Sequence, residues 1–218
     1  MESRWFDLFD IALSILEQTD RKIGLKTDWS FGGGTALMLQ IDHRDSYDVD
    51  IFIHDPQLLP YLNPDSQDHL LKISPSGYHS DGSHCLKIAF AGIGEIDFIC
   101  SPPLLRDGVI RKAVRGETVD LETPAEIIAK KIYHRGSRLQ PRDMFDIAAV
   151  LQHNGAQPLI AALKPFPDQI TQALRVAQGY RQNLLTPVLA DLNVKPAYAA
   201  LRQTAQEDTV RLLRAVLD

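Results

Sequence analysis

FGGGTALMLQIDHRDSYDVDIFI, Phe31 to Ile53, joins a glycine turn to a pair of carboxylates. Three glycines followed by Thr35 and the apolar run Ala36 to Leu39 predict a tight turn that opens a helix. Backbone N–H groups at a helix start have no partner within the helix and face whatever anion approaches, so such a turn suits phosphates. A polar bend from Asp42 to Ser46 follows, and then Asp48-Val49-Asp50-Ile51-Phe52-Ile53, which alternates as a strand does. A period of two puts Asp48 and Asp50 on one face and Val49, Ile51 and Ile53 on the other. If the apolar face is buried, the opposite face carries two carboxylates suited to one or two Mg²⁺ ions and the phosphates they carry.

Each half alone is a common feature of proteins; their order is more specific. Strand, Gly-Gly turn, short helix and Asp-x-Asp on a second strand resemble the DNA polymerase β-like nucleotidyltransferase superfamily. More narrowly, Gly33-Gly34-Thr35-Ala36-Leu37 followed by His43-Arg44-x-Ser46-x-Asp48-x-Asp50 is similar to the AbiEii/AbiGii-type toxin nucleotidyltransferases of bacterial toxin–antitoxin and phage-abortive systems. The resemblance implies an α+β fold: a nucleotidyltransferase-like mixed sheet with flanking helices over residues 1–122, then a C-terminal helical bundle lobe over residues 123–218. It also implies Mg²⁺ as cofactor, an NTP as substrate, tRNA or another RNA as acceptor, and a cognate antitoxin as partner.

Composition permits this without requiring it. A chain of 218 residues, 44% hydrophobic, can bury one sizeable core with a helical lobe attached. Its formal charge of −5 argues against broad nucleic-acid coating, which needs clustered Lys and Arg, but leaves room for a local basic patch. Two cysteines, no charged-then-apolar leader and no run of about 18 apolar residues lead us to expect a cytoplasmic protein without a membrane segment.

Toward the N-terminus, Trp5, Leu8, Phe9, Ala12, Leu13, Ile15 and Leu16 fall at helical spacing, and Trp29-Ser30-Phe31 predicts a short strand entering the glycine turn. Pro56, Pro60 and Pro64 make the segment after Ile53 a poor place for long regular structure and predict a surface excursion with one helical turn. Cys85 to Cys100 is expected to form a hairpin. Its apolar residues Leu86, Ile88, Phe90, Ile96 and Phe98 all have even numbers, so paired numbers must sum to an even value. That requires an odd loop or a bulge around Gly92 and Gly94. Lys87, Glu95 and Asp97 then share the other face, and Cys85 and Cys100 fall on opposite faces, against a disulfide between them.

In the superfamily a third carboxylate comes from a strand beside the Asp-x-Asp strand. The resemblance therefore points to Asp97 as general base or metal ligand, with Glu95 its nearest rival. Residues 109–121 predict one more strand or a short pair. Thr123-Pro124-Ala125-Glu126 announces a helix through an N-cap, a proline at the first position and a capping-box glutamate. On that helix Lys131, Arg135 and Arg138 recur along one stripe; the spacing alone fits a solvated charged face.

The resemblance adds that Lys131, Arg138 and Arg142-Asp143-Met144-Phe145-Asp146 match, in order, a family lysine, an arginine and an Arg-Asp-x-x-Asp helix start. It implies a catalytic set of Asp48, Asp50, Asp97, Lys131 and Asp143, metal ligation by Asp48, Asp50 and Asp97, and nucleotide contacts from Gly33, Gly34, Thr35, Arg44, Ser46, Lys131 and Arg138. Asp143 could instead be a cap or an ion-pair partner that orients Lys131. His43 could contact a phosphate or cap the bend. For an RNA acceptor the clustered cations are Arg111, Lys112 and Arg115, together with Lys130, Lys131, Arg135 and Arg138. A small-molecule or protein nucleotidyltransferase, or a non-catalytic nucleotide-binding relative, are the alternatives.

Overall fold

The computed structural model describes residues 3–218. Contacts divide the chain into two units. The first holds the chain up to Ala36, Ser46–Pro103 and Val109–Glu122; the second holds Leu37–Asp45, Leu104–Gly108 and Thr123–Asp218.

In the first unit α1 (Trp5–Ile23) buries Leu8, Phe9, Ala12 and Ile15 completely, which is the apolar face its spacing predicts. Gly24 ends the helix at φ 70°, donating its N–H to the Asp20 carbonyl at 2.9 Å. Next come β1 (Trp29–Gly32), α2 (Gly33–Ile41), which passes into the second unit from Leu37, and β2 (Val49–Ile53). Phe9 meets Phe31 of β1 with ring centroids 4.9 Å apart, joining α1 to the sheet.

The proline-rich excursion contains a 3-10 turn (Pro56–Leu58) and two four-residue helices, α3 (Leu59–Leu62) and α4 (Pro64–Gln67). It then supplies a strand that the sequence does not announce, β3 (Gly77–Ser80), whose last three residues are exposed. With only the neighbouring strand to pair with and little of it buried, β3 carries no apolar alternation.

β4 (Cys85–Phe90) and β5 (Gly94–Cys100) form the expected hairpin. Leu86 faces Phe98 and Ile88 faces Ile96, so paired numbers sum to an even value, and a three-residue loop joins Phe90 to Gly94. Cys85 lies opposite Ile99, and both cysteines are free thiols. Residues 109–122 form a pair, β6 (Val109–Val114) and β7 (Glu117–Glu122), joined through Arg115 at φ 52° and Gly116 at φ 89°. Two left-handed residues are what a tight two-residue hairpin requires. The seven strands are ordered β3-β4-β5-β2-β1-β7-β6. β2 runs antiparallel to β1 and parallel to β5, a mixed sheet with the Asp-x-Asp strand at its centre.

The second unit is helical: α5 (Pro124–Arg135), a 3-10 turn (Gly136–Arg138), α6 (Pro141–Asn154), α7 (Ala156–Leu163), α8 (Pro167–Gly179), α9 (Gln182–Asp191), a 3-10 turn (Pro196–Tyr198) and α10 (Leu201–Leu217). α10 packs on α6 and α8; Thr209 donates its hydroxyl to the Met144 carbonyl at 3.2 Å, and Tyr198 donates to the Ile41 carbonyl at 3.0 Å.

Two local expectations need correction. Thr123 caps α5 by accepting the Glu126 N–H at 3.3 Å, but the Glu126 carboxylate does not close the box. It is fully buried and accepts the N–H groups of the half-buried Leu104 and Leu105 at 2.8 and 2.9 Å, which satisfies those donors and the carboxylate together. And α5 ends at Arg135, so Arg138 terminates a 3-10 turn and does not extend a helical stripe. Among the described residues no helix is long and apolar enough to cross a membrane.

Candidate active site

In the first unit, the turn predicted from the three glycines forms at Gly33, with φ 69°, where α2 begins. A Cβ there would overlap the Asp50 carboxylate, so glycine serves both the left-handed backbone and the close approach of an acid. Thr35 is fully buried and donates its hydroxyl to the backbone carbonyl of Asp48, tying the first turn of α2 to the entry of β2. Asp48 stands one residue before the strand, and its Oδ1 accepts the Glu95 N–H at 3.0 Å. Ser46 is buried, and its carbonyl accepts the Ser3 hydroxyl at 2.6 Å.

Register completes the arrangement. Gly32 lies opposite Asp50 and Asp50 opposite Asp97, so both carboxylates project from one face of adjacent strands. Asp97 is 13% exposed in its side chain; its Oδ2 accepts from Lys87 Nζ at 3.0 Å, while its Oδ1 is buried with no hydrogen-bond partner. Burial pushes its carboxyl pKa up, Lys87 opposes the rise, and Glu95 and Asp48 add to it. Glu95 shares the face and also bonds Lys87. On the same side of the sheet, Glu122 of β7 is fully buried and accepts the Ser30 hydroxyl at 2.9 Å.

Among the described residues, no three His, Cys, Asp or Glu side chains converge as a ready-made cation site. The donor chemistry of Asp48, Asp50 and Asp97 nevertheless fits a hard divalent cation, which takes oxygen ligands and accepts part of its shell from substrate phosphates. A buried carboxylate oxygen with no donor, Asp97 Oδ1, is the specific observation in favour of that fit.

In the second unit Lys131 is 12% exposed in its side chain. Its ammonium lies 2.7 Å from Asp143 Oδ1 and 3.1 Å from Asp146 Oδ2. Asp143 also accepts the Gln140 N–H at 3.1 Å, so it caps α6 and pairs with Lys131 at once. Asp146, fully buried, takes two bonds from Arg44, at 2.8 Å from Nε and 3.0 Å from Nη2, and lies 3.0 Å from His43 Nε2. Burial works against charge on both carboxylates. Lys131 outweighs it for Asp143, and Arg44, Lys131 and His43 outweigh it for Asp146, which is held well below the ordinary carboxylate range. Burial likewise opposes charge on Lys131, and the two aspartates raise its pKa regardless.

His43 is therefore neither at a phosphate-facing surface nor capping the bend: it is buried against Asp146, with Nδ1 lacking a hydrogen-bond partner. The guanidinium of Arg44 is engaged by Asp146, and Lys130, far from a solvated face, is buried 3.7 Å from Glu126. Arg111 and Arg115 pair with Asp120 and Asp10. Of the cations grouped in the sequence, Lys112, Arg135 and Arg138 have no carboxylate partner among the described residues, and Arg142 joins them. Three further residues carried no assigned role in the sequence: Asp146, the last residue of the Arg-Asp-x-x-Asp match; Lys87, which shares the face of Asp97; and Glu122, which had no signal.

A glycine turn feeding Asp-x-Asp at the centre of a mixed sheet defines the nucleotidyltransferase fold, and solved structures agree. A protein described as a nucleotidyltransferase from H. pylori superposes with a TM-score of 0.51 at 14% identity, covering 99% of this chain and 96% of that one. The antibiotic-resistance factor ANT(2'')-Ia gives 0.50 at 11% identity, covering 80% and 100%. No curated protein sequence matches the chain. The family described as Nucleotidyl transferase AbiEii toxin, Type IV TA system, matches residues 14–211, and this chain belongs to it.

Proposed function

We propose that the protein transfers a nucleoside monophosphate from an NTP to a hydroxyl of an RNA acceptor, the tRNA 3′ end, as the toxin of a toxin–antitoxin pair. In this reading the acceptor hydroxyl loses its proton and attacks the α-phosphorus, the new phosphodiester forms, and pyrophosphate leaves. Asp48, Asp50 and Asp97 are the residues that would hold Mg²⁺, which would neutralise phosphate charge and favour the ionised hydroxyl. Asp97 accepts or directs the acceptor proton. Gly33, Gly34 and Thr35 present the start of α2 to the phosphates. Lys131, oriented by Asp143 and Asp146, stabilises charge on the triphosphate, with Arg138 assisting. Arg44 serves that orientation through Asp146, and Ser46 holds the bend before Asp48.

The observation that carries this reading is the pairing in register of Asp50 with Asp97, whose Oδ1 is buried without a donor, beside a glycine that only an acid's close approach and a left-handed turn explain together. Membership of a toxin–antitoxin family supports an antitoxin partner; the RNA acceptor is our own reading, which the labelling test below addresses.

The test is to incubate the protein with each α-labelled NTP, Mg²⁺ and total cellular RNA. Label in the tRNA band, lost with Asp48→Asn, supports the reading. Label confined to small molecules or protein rejects the acceptor and keeps the chemistry. Nucleotide binding without transfer to any acceptor would identify a non-catalytic relative.

A further inference from the structure

The row Gly32, Asp50, Asp97 continues one strand further. Asp97 lies opposite Lys87 on β4, so an ammonium closes a line of carboxylates on the same face. Lys87 contacts two acids of β5: Asp97, 13% exposed in its side chain, and Glu95, 41% exposed. The lysine thus bridges a nearly buried acid to one that faces solvent. An ammonium has three donors and no acceptor, on a flexible stem, and can keep one contact while giving up the other.

We infer that Lys87 is the resident counter-ion of Asp97: it competes with the divalent cation for that carboxylate and withdraws onto Glu95 when the cation binds. This rests on the reading in which Asp48, Asp50 and Asp97 hold the cation. An ammonium and a divalent cation cannot share one small carboxylate without mutual repulsion. Burial disfavours a bare charge on Asp97, and the ammonium offsets that cost until a cation takes over. Glu95 acquires a role as well. It need not be a rival metal ligand, because its contact with Lys87 gives the displaced ammonium a place to stay.

The competing account is a cross-strand ion pair that only stabilises the hairpin. Binding of Mn²⁺ in the absence of nucleotide, followed by the electron paramagnetic resonance signal of free Mn²⁺, separates the two. Breaking a hydrogen bond between charged groups corresponds to about tenfold in affinity, so Lys87→Met and Lys87→Gln should each bind Mn²⁺ about tenfold more tightly. Lys87→Arg should restore the weaker, wild-type affinity. Lys112→Met controls for net charge: it lies on β6, separated from β5 by β2, β1 and β7, roughly 19 Å at the spacing of adjacent strands, so salt at physiological strength screens its charge from the site. It should leave the affinity unchanged.

Neutral variants at Lys87 that bind no more tightly than wild type or Lys112→Met, while Asp48→Asn weakens binding, would overturn the inference and leave the site intact. If Asp48→Asn also leaves Mn²⁺ binding unchanged, the carboxylate site itself fails.

Discussion

Asp48 and Asp97 occupy the same sheet face but do different things, and the difference is measurable. Asp48 sits at the mouth of β2, anchored through Glu95 N–H and outside the apolar face. Asp48→Asn should leave the melting temperature nearly unchanged, as surface substitutions usually do, while titration calorimetry shows NTP affinity at millimolar Mg²⁺ falling to the metal-independent level. Equal, metal-independent affinity in both proteins would sink the two-carboxylate reading. Asp97→Ala should lower transfer by roughly 10²–10⁴-fold, the usual worth of a positioned general base, with NTP binding largely retained, because its interaction matters most once the acceptor proton is lost. Should Asp97→Ala transfer normally and Glu95→Ala not, the acid on β5 has been misassigned. Gly33→Ala is a different case, since it adds a side chain where φ is 69° and the Asp50 carboxyl already fills the space. Strain of order 1–3 kcal/mol should appear in urea unfolding, together with weakened NTP binding.

The helix pair α5 and α6 poses an electrostatic question. Four charged side chains, Arg44, Lys131, Asp143 and Asp146, balance to zero in a buried network. Removing Asp146 leaves two cations without their shared partner, so Asp146→Ala should cost about 3–5 kcal/mol, read by chemical denaturation. The pH dependence has a definite sign. Asp143 and Asp146 are held below their ordinary values, so the unfolded chain binds more protons in acid, and their stabilisation is complete above an unfolded carboxylate value of about 3.9. It is lost as pH falls through the folded values. The melting temperature should drop on acidification below about pH 4, less steeply in Asp146→Asn; parallel acid slopes in the two proteins would count against the network. Sequence legibility divides along the same line. The parity of the β4–β5 hairpin, the glycine turn and the Thr123 cap are local, and neighbouring residue types expose them. The Arg44–Asp146 pairing spans 102 residues, and β3 pairs only at the sheet's margin with almost no burial to pattern it. Lys131 fell on a stripe whose spacing alone fits a solvated face, because nothing local shows that Asp143 and Asp146 make its burial tolerable, nor that Glu126 does the same for Lys130.

If this acidic chain acts on RNA, it must concentrate what positive charge it has left. With Lys130, Lys131, Arg44, Arg111 and Arg115 engaged by carboxylates, the strongest remaining concentration by position in the chain is Arg135, Arg138 and Arg142, at the end of α5, the following 3-10 turn and the first turn of α6. None of the three has a carboxylate partner among the described residues. Each phosphate neutralised on a single strand releases counterions, contributing a slope of about −0.7 to log K against log salt. If these arginines grip the acceptor strand, tRNA binding measured by filter retention from 50 to 300 mM KCl should follow a slope of at least about −2. Replacing all three by alanine should flatten that slope by about 2 and leave Mg²⁺–NTP affinity less affected, with any residual loss tracing to Arg138. A mutant slope equal to wild type would move the RNA surface elsewhere, and Lys112 on β6 would be the next cation to test. A shallow slope in the wild type itself would point to a small acceptor, because a ligand with one or two charges displaces few ions from the protein or from itself.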